Sequence, residues 1–99
     1  MNTKKTALIT GASKGLGYQI AESLSKKGWN ILVTGRDAKQ LLSAKNSLSQ
    51  FTNVIAKSGD ITDEVHLLEL ADVLKNYEWK LDLVINNASA LGVSPLRQL

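Results

Sequence analysis

The chain has no cysteine, a single proline, a single histidine and only five aromatic residues among its 99. Without cysteine there are no disulfides and no thiolate metal ligands. The lone His66 stands beside Leu67 and Leu68, with no carboxylate cluster in its motif. That argues against a metal centre and for packing at the surface or its boundary. No apolar run approaches the roughly 20 residues that a membrane span needs. The opening "MNTKK" carries no apolar stretch of secretory length and no cleavage site, so cytoplasm is the expected compartment. Twelve basic residues against nine acidic ones leave a net charge of +3. Apart from the pairs Lys4-Lys5 and Lys26-Lys27 the positive charges are scattered. A solvated surface explains them better than a nucleic-acid patch, although a mild positive excess suits an anionic small molecule.

Apolar content of 43% and charged content of 21% are ordinary for one globular domain. Along the chain, strand and helix patterns alternate strictly. "TALIT" (Thr6–Thr10) is a short apolar, partly β-branched run ending at a glycine. From Gly15 to Lys27, Leu16, Ile20 and Leu24 recur four apart, which predicts one helical face, and Gly28 is a helix stop. "NILVTG" (Asn30–Gly35) predicts a second buried strand. Asp37 with Gln40 three residues on forms a candidate capping box, and Leu41, Ala44, Leu48 and Phe51 continue a helical stripe. "NVIAK" (Asn53–Lys57) is a weaker third strand. Thr62 then reads as an N-cap, with Asp63 and Glu64 suited to a first turn and Leu67, Leu70, Ala71 and Leu74 on the apolar side. "LDLVIN" (Leu81–Asn86) is the fourth strand, and Trp29 and Trp79 precede strands at the end expected to be the bottom of the sheet.

Nearly all-apolar strands, each followed by a helix, imply a parallel sheet covered on both faces. Right-handed crossovers with one reversal after the third strand give the order 3-2-1-4, a Rossmann-type α/β arrangement. The carboxyl ends of the first and fourth strands would flank the binding crevice.

The strand-to-helix turn at that crevice is "TGASKGLG", in which Gly11, Gly15 and Gly17 give the spacing G-x-x-x-G-x-G. Glycine allows positive φ in a tight turn and close approach of backbone to a pyrophosphate. A helix starting near Gly15 would aim unpaired N–H groups and its positive dipole end at the anion. Ser13, Lys14 and Leu16 lie in the same turn. The spacing differs from the commoner G-x-G-x-x-G and from the nucleoside-triphosphate loop, in which the lysine follows the last glycine.

Together, "TGASKGLG", "GDITD" (Gly59–Asp63) and "NNA" (Asn86–Ala88) resemble the short-chain dehydrogenase/reductase family, with matching spacing over essentially the whole chain. The resemblance implies a dinucleotide cofactor and hydride transfer between a nicotinamide and a carbonyl or alcohol. It implies that Asp60 contacts the adenine amino group and that Ile61 supplies a backbone N–H and an apolar wall. Asp60 as a turn cap before Thr62 is the other reading. Asn86 and Asn87 would tie the strands together and touch the ribose next to nicotinamide, with Ala88 completing the motif. The usual fourth residue of that motif is glycine, and here it is Ser89.

Cofactor choice turns on the end of the second strand, where an acid holds the ribose of NAD and an arginine accommodates the 2′-phosphate of NADP. Arg36 stands nineteen residues after Gly17. A guanidinium suits stacking and charge-assisted phosphate bonds. With Lys14 before the second glycine, NADP is the expected cofactor. Asp37 leaves NAD open, unless its capping role holds it elsewhere.

The resembled enzymes use a tyrosine acid/base, a lysine four residues after it, a serine and a further asparagine, all downstream of the asparagine pair. Tyr18 and Tyr77 are followed at that spacing by Glu22 and Leu81. The expectation is one partial dinucleotide-binding domain over residues 1–99, truncated relative to the full fold, without catalytic residues. A small-molecule substrate would be handled only by a longer form. The fourth strand would then be an edge open to self-association. A non-catalytic dinucleotide-binding module that ends here is the alternative, and a sugar-nucleotide epimerase relative fits the glycine spacing less well.

Overall fold

Four apolar segments that cannot each bury both faces alone do so by pairing side by side. In the computed structural model, which describes residues 4–13 and 15–87, they are β1 (Thr6–Thr10), β2 (Asn30–Gly35), β3 (Val54–Ser58) and β4 (Leu81–Asn86). All pairings are parallel and the order is β3-β2-β1-β4, as expected. Three helices, α1 (Gly15–Lys26), α2 (Ala38–Leu48) and α3 (Glu64–Asn76), make the crossovers.

Strand alternation divides the core in two. Ala7, Ile9, Ile31 and Val33 face one side with Ala21, Leu41 and Leu48. Leu8 and Leu32 face the other, against Ile61, Leu67 and Leu70. Full burial of each such leucine or isoleucine contributes about 1.5–3 kcal/mol, so these two clusters hold the sheet between its helices. Among the described residues β4 is an edge strand, and Val84 on it is 36% exposed.

Several local expectations shift. Strand β3 starts and ends one residue later than the pattern predicted. Helix α1 buries Gly17, Ala21 and Ser25, while Leu16 of the predicted stripe is 63% exposed and Ile20 and Leu24 only flank the core. The small residues win because they let the helix backbone approach the sheet closely. Helix α2 is capped by Asp37, whose carboxylate accepts from the Gln40 N–H at 3.1 Å. Phe51 lies beyond its end, with the Lys26 ammonium 5.3 Å from its ring. The N-cap of α3 is Asp63, which accepts from the Val65 N–H, because the Thr62 hydroxyl is already given to Asp60. Ala71 is exposed and Val73 takes its place beside Leu74.

Both α1 and α3 end in the same hydrogen-bond pattern. Trp29 N–H donates to Leu24 C=O after α1, and Trp79 N–H donates to Leu74 C=O after α3. The left-handed position is Gly28 (φ 86°) in the first case and Glu78 (φ 55°) in the second. Trp79 is then buried at the lower end of the sheet, and Trp29 is partly buried there against the first cluster.

Candidate functional site

The carboxyl ends of the four strands carry the loops that the motifs singled out. Gly11 leaves β1 at φ 62° and its N–H donates to Thr34 C=O at 3.0 Å. The turn then reaches Gly15, at φ 65°, where α1 begins. No acidic residue occupies the first turn of α1, so its N-terminal N–H groups and dipole face the loop without a competing negative charge. Gly17 packs so closely on the Gly11 carbonyl that a Cβ there would collide with it and with the Asn87 side chain. Close backbone approach is therefore built into the turn. Lys14 and Ala88 lie outside the described residues, and Ser13 is half-buried in the loop.

Strand β4 is tied to this loop through one hydroxyl. Thr10 Oγ1 donates to Asn86 Oδ1 at 3.0 Å and accepts from the Asn87 N–H at 2.9 Å. The Asn87 side-chain amide reaches on to Gly11 C=O at 3.3 Å. The asparagine pair thus joins β4 to β1 and to the glycine turn, as the motif implied.

Across β2 lies the second wall. Arg36 extends into solvent, 77% exposed, with its guanidinium 3.6 Å from Asp60 Oδ1. The same oxygen accepts from the Thr62 N–H at 2.9 Å and from the Thr62 hydroxyl at 2.7 Å. These two bonds, more than the nearby charges of Arg36 and His66, hold the Asp60 carboxyl below its ordinary pKa. Asp60 therefore caps its turn, the second of its two readings, while also facing Arg36. The Ile61 side chain is buried with Leu8, Leu32, Leu67 and Leu70.

Two residues of this region escaped the motifs. Thr34 and His66 are 1% and 2% exposed, and Thr34 Oγ1 lies 2.6 Å from His66 Nε2. His66 is thus an interior residue, not a boundary one. A signal existed: Thr10-Gly11 and Thr34-Gly35 repeat a hydroxyl followed by glycine where an apolar strand ends. A buried hydroxyl there needs a partner.

The donor set suits an anionic dinucleotide. Backbone N–H groups open a helix beside the glycine turn, and an exposed guanidinium stands past the end of β2, paired with an ionised carboxylate. Among the described residues no cluster of histidine and carboxylates could hold a metal ion. None of the described helices is long and apolar enough to cross a membrane.

Known proteins share this arrangement. The chain is 35% identical over 95 residues to (-)-isopiperitenone reductase of Mentha piperita, covering 91% of this chain and 30% of that protein. The structure of L-sorbose reductase from Gluconobacter frateurii, complexed with NADPH and L-sorbose, superposes with a TM-score of 0.81 at 26% identity, covering 97% of this chain and 37% of that one. An NAD+-bound xylitol dehydrogenase gives a TM-score of 0.79 at 26% identity, with 90% and 35% covered. The chain therefore spans about a third of the length of these proteins. The family profile described as short chain dehydrogenase matches residues 5–99, and with that match the chain belongs to the short-chain dehydrogenase family.

Proposed function

We propose that this chain forms the NADP(H)-binding part of a reductase or dehydrogenase that moves a hydride between NADP(H) and a carbonyl or alcohol substrate. The observation that carries the cofactor choice is Arg36, exposed at the end of β2 on the wall opposite the glycine turn. When bound, the nicotinamide supplies or accepts the hydride. The chain's own residues bind and orient. The N–H groups opening α1, with Gly11, Ser13, Gly15, Leu16 and Gly17 around them, take the pyrophosphate. Lys14 and Arg36 take the 2′-phosphate. Asp60 and Ile61 meet the adenine, and Asn86, Asn87 and Ala88 meet the nicotinamide-side ribose.

Relatives of this fold include both an NADPH complex and an NAD+ complex, so family alone does not choose. The carboxylate that could favour NAD, Asp37, is engaged at the N-terminus of α2. That supports NADP. Residues 1–99 act in this reading as one partial dinucleotide-binding unit, with proton transfer and the substrate pocket supplied by a longer form. Titration calorimetry of NADPH against NADH tests the cofactor, and equal affinity for the two would overturn it. Turnover of a simple ketone with NADPH by the full-length protein separates an oxidoreductase from a non-catalytic binding module.

A further inference from the structure

We propose that His66 is a positioning residue for the adenosine side of the crevice, setting where the Gly59–Asp60 turn stands relative to Arg36. The proposal rests on the dinucleotide reading above and deepens it.

The end of β2 is a junction. Thr34 C=O holds the Gly11 N–H, and Gly35 C=O holds the Gly59 N–H at 2.9 Å. The Thr34 hydroxyl, between them, is held at 2.6 Å by His66 from the first turns of α3. Two loops and helix α3 therefore meet on two consecutive residues of one strand. The imidazole also lies directly under the Gly59 backbone, where a Cβ at that position would collide with the ring. His66 thus supports the turn from below and anchors it sideways.

An apolar side chain of similar size would fill this space but leave the buried Thr34 hydroxyl without its partner. The other ring nitrogen, Nδ1, makes no hydrogen bond among the described residues and lies 3.7 Å from Glu69 Oε1. That Glu69 carboxylate is half-exposed, so it can follow the ring without being fixed by the core. The specific, buried interaction is the one to Thr34. It links the strand that leads to Arg36 with the helix that follows Asp60.

The test uses the full-length protein and two cofactor fragments, adenosine 2′,5′-bisphosphate and reduced nicotinamide mononucleotide. Thr34→Val keeps the packing volume and His66→Phe keeps an aromatic ring of slightly larger size, and each removes the hydrogen bond. Each is expected to weaken the adenosine fragment about tenfold, by mobilising the turn and orphaning a buried partner. The nicotinamide fragment is expected to lose several-fold less. The double variant should be no worse than either single one, because both remove the same contact. His66→Gln, whose amide can either donate to or accept from the Thr34 hydroxyl, should recover most of the loss. If His66→Phe does not fold, Thr34→Val and His66→Gln carry the test. Parallel losses for both fragments in folded variants, or no loss for the adenosine fragment, would overturn the role of His66. Failure of the wild type to bind adenosine 2′,5′-bisphosphate would overturn the NADP reading and this proposal with it.

Discussion

The Arg36 guanidinium lies 3.6 Å from the Asp60 carboxylate, bridging the segments that follow β2 and β3. Both side chains are well exposed, so the pair itself adds little stability. Its consequence is orientation, since it holds the guanidinium at the end of β2, where the proposed function puts a 2′-phosphate. Arg36→Glu removes a charge-assisted contact and adds repulsion. NADPH affinity should fall by about 2 kcal/mol, roughly thirtyfold, with NADH changed far less. Calorimetry with both cofactors measures this, and an unchanged NADPH-to-NADH ratio would refute the role given to Arg36.

Asp60 makes the crevice sensitive to acid only at low pH. Its carboxyl is held below the ordinary value of 3.8, mainly by the backbone and hydroxyl bonds from Thr62. The unfolded chain therefore takes up this proton at a higher pH than the folded one does. Its contribution to stability is complete above the ordinary carboxylate range and is lost as pH falls through the lower folded value. An NMR titration of the Asp60 carboxyl carbon should show a midpoint below 3.8, and Thr62→Val should move it back upward.

Gly17→Ala tests the close approach in the glycine turn. The added methyl meets backbone at Gly11, which has no flexible end to move aside, as well as the Asn87 amide. Destabilisation of about 1–3 kcal/mol is expected, together with loss of NADPH binding. Thermal unfolding and a cofactor titration on the same sample read both effects. Wild-type behaviour in both would show that the turn is looser than its geometry implies.

Glu78 occupies the left-handed position after α3 that Gly28 occupies after α1. A side chain there costs about 1–2 kcal/mol, partly offset by the greater chain entropy that glycine loses on folding. Glu78→Gly should therefore raise stability by about 0.5–1 kcal/mol, read as a higher denaturation midpoint in urea. A lower midpoint would mean that the Glu78 side chain makes a contact worth more than the strain.

Much of the candidate site was legible because its chemistry is local. The glycine spacing, the Asp37 cap and the Arg36 position each depend on a handful of neighbouring residues, and all stand where the pattern put them. The N-cap of α3 was misplaced by one residue for an equally local reason. Thr62 and Asp63 are both good caps, and only the bonds from Thr62 to Asp60 decide between them. His66 was misread because a lone histidine among leucines carries no local sign of burial. Its partner, Thr34, is 32 residues away.

By itself the sequence determined the alternation of strand and helix, the β3-β2-β1-β4 order and the glycine turn. Those follow from apolar periodicity, crossover handedness and turn chemistry, which act over short stretches or restrict topology generally. Only the tertiary structure decided which face of α1 is buried, what holds β4 to the loop and where His66 goes. These depend on how closely two backbones approach and on hydrogen bonds such as Thr10–Asn86, between residues 76 apart in the chain. A buried hydroxyl must find a partner, but the sequence does not say which of the distant candidates will be there.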